Sequence, residues 1–211
     1  MRRIIQAVSL LVLALLLARE LVLAQGTPNL LLNSSNTYLN SFYAFKIQYF
    51  GELKERSFND VMVKLPQLEE NQPSPSYVSI SIDQQLFVDL PGTYGGRFYL
   101  NNNPNAALLS NRYAVEHETV NGLVFTKEYW LVYGGMGSWE TIINCYTKHQ
   151  DRYYIISLDH SFLSEIPGEI VNGKEISKQE LITKTLNVMH DNSNKFVNTF
   201  NAMFSSFSIS K

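Results

Sequence analysis

Alternation of apolar and polar residues predicts strands through most of the chain. In YAFKIQYF (Tyr43 to Phe50), Phe45, Ile47 and Tyr49 fall on one face, with Lys46 and Gln48 between them. This period of two is typical of a half-buried strand, because successive strand side chains point to opposite faces. The same pattern predicts further strands at Phe58 to Leu65, Tyr77 to Gln84, Tyr113 to Thr119, Leu123 to Tyr133, Trp139 to Lys148 and Tyr153 to Asp159.

Turn residues separate these runs. Asn121-Gly122 lies between two alternating segments and predicts a two-residue type I′ hairpin turn, since both central residues of that turn need positive φ. Leu86 to Asn111 is rich in Gly, Asn and Pro and is interpreted as a loop, with a short helical turn at Asn105 to Ser110 as an open alternative.

Near the C-terminus the period changes from two to that of a helix. Ser177 and Glu180 form a capping box, and it precedes apolar residues at helical spacing, Ile182, Leu186 and Met189. A second helix starts near Asp191 to Ser193 and carries an apolar stripe that consists of Phe196, Phe200, Met203, Phe204 and Phe207. Such a stripe needs an apolar partner surface. We therefore predict an α+β fold in which an antiparallel sheet is covered by the C-terminal amphipathic helix, with one extra helix before it.

The N-terminus has the pattern of an export signal. Arg2 and Arg3 precede a mostly apolar run from Ile4 to Ala18, and Val22-Leu23-Ala24 offers small or compact residues to a signal peptidase. We predict a signal peptide at 1-24 cleaved near Ala24, a flexible leader at 25-36 and one domain at 37-211, in a secreted or periplasmic protein. The alternative is an uncleaved anchor, but the run falls short of the roughly 20 apolar residues that a bilayer span needs.

The charge and cysteine content of the chain disfavour some classes of partner and of stabilising bond. The chain has 17 Lys plus Arg against 19 Asp plus Glu and no basic run, which argues against a nucleic-acid partner. Membrane contact is predicted only through the signal segment. Cys145 is the only cysteine, so no intramolecular disulfide can form, and a buried, inert thiol is expected.

Candidate catalytic chemistry is sparse. On a strand, Glu116 and Glu118 share one face while His117 points to the other, so these three residues do not converge on a metal ion. The sequence contains no Gly-x-Ser-x-Gly motif, and Gly134 to Trp139 (GGMGSW) lacks the context of a phosphate loop. We predict neither a metal nor a cofactor.

One group of ionisable residues leaves an enzymatic function as the alternative. Asp159, His160 and Glu165 are the only set from which an unrecognised secreted hydrolase could be built. A structure that places the three within hydrogen-bonding reach in a pocket would favour that alternative.

Aromatic residues are more numerous than one core face can hold. Tyr and Trp with free polar tips favour recognition of a protein, a peptide or a sugar. The candidate binding surface comprises Tyr94, Tyr99, Tyr129, Tyr133 and Trp139. The alternative is that the 86–111 loop and the extra helix cover these rings.

Several motifs, in order, resemble a known superfamily. TYLNSFYAFKIQYF, VNGLVFTKEYW, RYYIISL and KFVNTFNAMFSSFSI together resemble the secreted bacterial branch of the PsbP-like superfamily, including its DcrB-like members. The resemblance covers roughly 37–65, 113–159 and 193–210. The chain departs from the family in having Gly51-Glu52 after the opening strand, in its Gly-, Asn- and Pro-containing middle, and in its extra helix at Ser177 to Met189.

The resemblance implies a non-catalytic accessory or binding module. It carries no family-wide set of catalytic residues that could be placed on this chain. We therefore expect a protein partner in the cell envelope or extracellular space.

Overall fold

The computed structural model describes residues 35–68, 75–90, 96–100, 109–135, 138–162, 170–171, 174–175 and 177–210. The strands are β1 (Asn36–Asn40), β2 (Phe45–Tyr49), β3 (Glu52–Ser57), β4 (Asp60–Lys64), β5 (Tyr77–Asp83), β6 (Phe87–Leu90), β7 (Gly96–Tyr99), β8 (Arg112–Val120), β9 (Leu123–Gly135), β10 (Ser138–His149), β11 (Arg152–Asp159), β12 (Ile170–Val171), β13 (Lys174–Glu175) and β14 (Ser208–Ile209). The helices are α1 (Lys178–His190) and α2 (Lys195–Ser206).

The main sheet has seven strands in the order β3-β4-β5-β11-β10-β9-β8, and all its pairings are antiparallel. The strands predicted from alternation, apart from β2, form its interior and one edge. β3 shows no such alternation because it is the exposed outer strand at the other edge, where charged side chains discourage pairing with another chain.

A smaller sheet, β1-β2-β14, brings the two ends of the domain together. β2 is its central strand and buries Phe45 and Ile47 completely, as its alternation predicts. The closing strand β14 is fixed by the backbone amide of Ser210, which donates to the carbonyl of Ala44 at 2.5 Å.

The two helices cover one face of the main sheet. Ser177 caps α1 by accepting a hydrogen bond from the Glu180 amide, and Asn194 caps α2 by accepting from the amides of Phe196 and Val197. The predicted apolar stripe of α2 is buried against the strands, and it consists of Phe196, Phe200, Met203, Phe204 and Phe207 at its C-cap. The predicted α+β fold class is therefore confirmed.

The predicted hairpin turn is also confirmed. Asn121 and Gly122 separate β8 from β9 and have φ values of 49° and 82°, the sign that a type I′ turn requires. The Asn121 side chain donates to the carbonyl of Phe207 at 2.7 Å, so the turn also holds the end of α2.

The interpretation of Leu86 to Asn111 as a loop was wrong for part of that range. β6 and β7 form an antiparallel hairpin there, and it packs on the face of the main sheet opposite the helices. Its side chains are buried on both sides of β6, which removes the alternation that would have revealed the strand. Val88 and Leu90 pack with Trp130 of β9, and Phe87 packs with Ile155 of β11.

The N-terminal predictions lie outside the described residues. The signal peptide at 1-24 and most of the leader at 25-36 therefore stay predictions. No helix of the described chain has the length and apolar character to cross a membrane.

Candidate functional site

Two phenylalanine rings project from neighbouring turns at one end of the main sheet. Phe42 follows β1 and is 74% exposed, and Phe58 joins β3 to β4 and is 67% exposed. Their centroids lie 5.8 Å apart at an interplanar angle of 80°, and Tyr43 lies 4.8 Å from Phe42. We call Phe42, Tyr43 and Phe58 the aromatic cluster.

Hydrogen bonds fix the backbone under the aromatic cluster. The Asn40 side chain donates to the carbonyl of Phe58 at 2.9 Å and accepts from the amide of Tyr43 at 2.9 Å. One buried amide therefore ties both turns together. The guanidinium of Arg152 lies 5.3 Å from the Tyr43 ring centroid, within cation–π range. Because both turns are held, little order has to be gained when the exposed rings meet a partner.

Sequence reasoning did not find Phe42 or Phe58. Phe58 was counted as the first residue of a predicted strand, but that strand begins at Asp60, and Phe58 lies in the turn before it. The available signal was a large aromatic residue directly after a serine in each turn, Ser41-Phe42 and Ser57-Phe58.

The predicted aromatic surface is only partly exposed. Tyr99 is 40% exposed, and its hydroxyl donates to the Asp83 carboxylate at 3.5 Å. Asp83 is the last residue of β5, so Tyr99 lies at the same end of the main sheet as Phe58. Tyr94 lies outside the described residues, and Tyr133 and Trp139 are described only as paired backbone of β9 and β10.

The prediction that Tyr129 belongs to the binding surface was wrong, because this residue is only 2% exposed. The imidazole of His190, the last residue of α1, stacks on it with centroids 4.0 Å apart. The Tyr129 hydroxyl donates to one carboxylate oxygen of Glu116 at 3.1 Å, and Nε2 of His190 lies 3.0 Å from the other oxygen. Burial, and then the charge of Glu116, raise the pKa of Tyr129. The extra helix thus covers this ring, as one alternative predicted.

His117 lies on the opposite side of its strand from Glu116 and Glu118, as predicted. Glu116 and Glu118 border the same recess beside α1, whereas the His117 imidazole lies 3.4 Å from Thr126 and not in that recess. Across the described ranges, no three His, Cys, Asp or Glu side chains are grouped so as to hold a metal ion.

The structure gives the hydrolase alternative no support. His160 is 4% exposed, stacks on Phe196 with centroids 3.8 Å apart, and has Nδ1 2.5 Å from the hydroxyl of Ser76, which is itself buried. Asp159 borders a different space on the opposite face of the sheet, and Glu165 lies outside the described residues. Within the described residues, the imidazole of His160 and the hydroxyl of Ser76 are thus both buried, with Phe196 against the imidazole.

A buried carboxylate lies on the hairpin side of the sheet. Glu128 is fully buried and accepts hydrogen bonds from Arg112 at 2.7 Å, from the indole of Trp130 at 3.1 Å and from the hydroxyl of Tyr146 at 3.3 Å. Burial, followed by the charge of Glu128, raises the pKa of Tyr146 to about 12. These donors compensate the desolvated charge, so the network is a structural connection between β8, β9 and β10.

Cys145 agrees with the sequence expectation. Its thiol is buried, and burial raises its pKa, as do the nearby carboxylates of Glu118, Glu116 and Glu128 against the opposing charge of Lys127. Such a thiol is a poor nucleophile.

Comparisons with known proteins give only distant neighbours. No protein-family model and no curated protein matches the sequence. A crystal structure from Bacteroides thetaiotaomicron has a TM-score of 0.40 and 8% identity over 83% of this chain and 48% of that one, so the match spans about half of the Bacteroides protein. The solution structure of cyanobacterial PsbP (CyanoP) from Synechocystis has a TM-score of 0.38 and 10% identity over 88% of this chain and 98% of that one. A PsbP structure is thus among the neighbours, but similarity at these TM-scores carries no argument about family or function.

Proposed function

We propose that this chain is a non-catalytic accessory module that acts outside the cytoplasm and binds a protein partner through the aromatic cluster. The observation that carries the proposal is the pair of exposed rings, Phe42 and Phe58, that meet on two fixed turns. Large aromatic side chains are enriched at protein interfaces, and a contiguous exposed apolar patch costs free energy in water unless a partner covers it.

The surroundings of the cluster suit a protein partner. Tyr99, at the same end of the sheet, is exposed, and its hydroxyl is bonded to Asp83, while Arg152 adds a cation beside Tyr43. An apolar centre with polar groups around it is the arrangement of a protein interface, where a few aromatic residues supply most of the binding free energy.

Site-specific photo-crosslinking in the source cells tests this proposal. A photoreactive phenylalanine analogue at position 58 is expected to give a discrete protein adduct, and the additional change Phe42→Ser is expected to reduce its yield. The same analogue at Val115 is the matched control, because Val115 is 47% exposed and lies on β8, at the far edge of the sheet from β3 and β4. Identical adducts from both positions, or adducts with lipid only, would contradict a protein partner.

Export is tested independently. N-terminal sequencing of the chain purified from its source is expected to begin at Gln25, after removal of residues 1–24. An intact Met1 terminus in the cytoplasmic fraction would exclude the proposed location without affecting the crosslinking result.

A further inference from the structure

A cavity of about 490 Å³ lies between the β6–β7 hairpin and the main sheet. Its described lining includes Tyr77, Ser79, Ser157 and Asp159 from the sheet, and Asp89 and Arg97 from the hairpin. Met62 and Ile142 add apolar surface. The volume falls in the range of about 300–1,000 Å³ that is usual for small-molecule sites.

A row of polar side chains forms the floor of this region. The strand registers place Ser79 opposite Ser157, Ser157 opposite Asn144, and Asn144 opposite Glu128. The row thus crosses β5, β11, β10 and β9 at one level. Polar residues in the middle of a covered sheet face cost free energy unless their hydrogen bonds are made. Glu128 makes its hydrogen bonds, whereas Asn144 makes only part of its own.

Asn144 shows that these hydrogen bonds are incomplete. It is completely buried, and its amide nitrogen has no hydrogen-bond partner within the described part of the chain. The Ser157 hydroxyl, which borders the cavity, donates its one proton to the amide oxygen of Asn144 at 2.6 Å. The lone pairs of Ser157 can therefore still accept from a hydroxyl in the cavity. Asn144 does not itself border the cavity, so Ser157 is the member of this pair that a ligand would contact.

An ion-pair cluster fixes one wall. Arg97 of the hairpin donates to the Asp60 carboxylate at 2.6 Å, and Arg56 lies 3.4 Å from that same carboxylate. The Ser81 hydroxyl also donates to Asp60, at 3.0 Å. These contacts join β7 to β4, so the hairpin is held over the sheet while much of the charge on this wall is internally balanced.

The chemistry of the lining selects among ligand classes. Most of the lining surface is apolar, but carboxylate, guanidinium and hydroxyl groups interrupt it, so it suits a ligand with both C–H faces and hydroxyls better than a purely apolar lipid. Asp60, Asp89 and Asp159 outnumber Arg56 and Arg97, which disfavours an anion. A neutral polyol suits this lining, because each of its hydroxyls can donate to a carboxylate or serine and accept from a guanidinium or a phenol.

We propose that the cavity binds a neutral polyhydroxylated ligand, a monosaccharide or a terminal sugar of a glycan. Asp89 on the hairpin accepts hydrogen bonds from ligand hydroxyls, and Ser157 and Ser79 on the sheet accept hydrogen bonds from further ligand hydroxyls. The phenol of Tyr77 donates a hydrogen bond, and its ring offers an apolar surface. The proposal does not depend on the aromatic cluster, so either site can exist without the other.

Two-dimensional NMR of the isotopically labelled chain tests it by titration with glucose, mannose and N-acetylglucosamine. We expect saturable shifts from at least one sugar, at the Asn144 side-chain amide and the backbone amides of Ser157 and Gly96. Asp89→Asn should weaken binding at least about tenfold, since hydrogen bonds to a charged group are the stronger ones. The matched control is Asp83→Asn, which makes the same chemical change at the end of β5, outside the cavity, and should leave the affinity within about twofold.

The spectra also show whether each variant is folded, so a loss of binding cannot be confused with a loss of structure. No saturable shift with any of the three sugars would overturn the proposal, as would shifts centred elsewhere or an equal effect of the two substitutions. Putrescine and inorganic phosphate are titrated in parallel. Binding of either one in the cavity, with no sugar bound, would show that the assigned chemistry is wrong.

Discussion

Phe125 of β9 and Phe204 of α2 meet edge to face, with ring centroids 4.9 Å apart and planes at 87°. Both rings are completely buried, and Phe207 approaches Phe125 in the same manner at 5.7 Å. This contact places the C-terminal helix on the antiparallel sheet, the relationship on which the fold prediction depended. The orientation matches the edge-to-face geometry that aromatic quadrupoles prefer.

Phe204→Ala is therefore expected to lower the free energy of unfolding by about 3–5 kcal/mol, through lost burial and the cavity left behind. Urea denaturation followed by circular dichroism measures the change. Phe58→Ala removes the same side chain from an exposed turn and should change stability by only about 0.5 kcal/mol. Equal losses in the two variants would show that α2 does not pack as described.

The sequence predicted those elements whose environment differs between their two faces. β2 and α2 each have one buried and one exposed side, so their apolar spacing reveals both the element and its orientation. Local chemistry was equally informative where one residue decides a conformation, as with Gly122 in the hairpin turn and Ser177 at the start of α1.

The missed features share a different cause. β6 lies between a partner strand and the sheet and is buried nearly throughout, so no alternation identifies it. Tyr129 was placed on a candidate binding surface, but α1 covers its ring. Long-range covering by α1 and by β6–β7 decides both cases, and single-residue patterns do not encode such contacts.

Tyr146 predicts a specific response to alkaline pH. Its pKa is raised from 10.0 to about 12 by burial and then by the charge of Glu128. A group whose pKa is higher in the folded state contributes stability that is fully present below its unfolded pKa. That contribution is lost as pH rises through the folded value, so the window lies between about pH 10 and pH 12.

Urea denaturation from pH 9 to pH 12 should therefore show a steeper loss of stability for the unmodified chain than for Tyr146→Phe, which has no phenol to ionise there. Tyr153→Phe is the control, since Tyr153 lies nearby in the same side-chain cluster under the hairpin. Parallel curves for all three chains would mean that Tyr146 ionises normally in the folded protein.

Gly51 connects β2 to β3 and has a backbone that an L side chain does not tolerate. Its φ is +113°, and a Cβ atom there would lie 2.1 Å from the carbonyl oxygen of Lys64 in β4. The contact is with backbone, so it can be relieved only by moving a strand of the main sheet. Gly122 also has positive φ, +82°, but a Cβ atom there would meet nothing within 4 Å. Gly51→Ala therefore combines a steric clash with backbone strain, whereas Gly122→Ala introduces strain alone.

The two substitutions separate these effects. Gly122→Ala is expected to cost about 1 kcal/mol, near the lower limit for a non-glycine residue held in an unfavourable region. Gly51→Ala should lower the free energy of unfolding by at least about 2–3 kcal/mol. It should also make amide hydrogen exchange faster in β3 and β4, because the displaced carbonyl lies in β4. Urea denaturation and native-state exchange measure both quantities. If the costs are equal, the β2–β3 connection does not approach β4 closely, and the edge of the main sheet is arranged differently from the packing described for β3, β4 and β5.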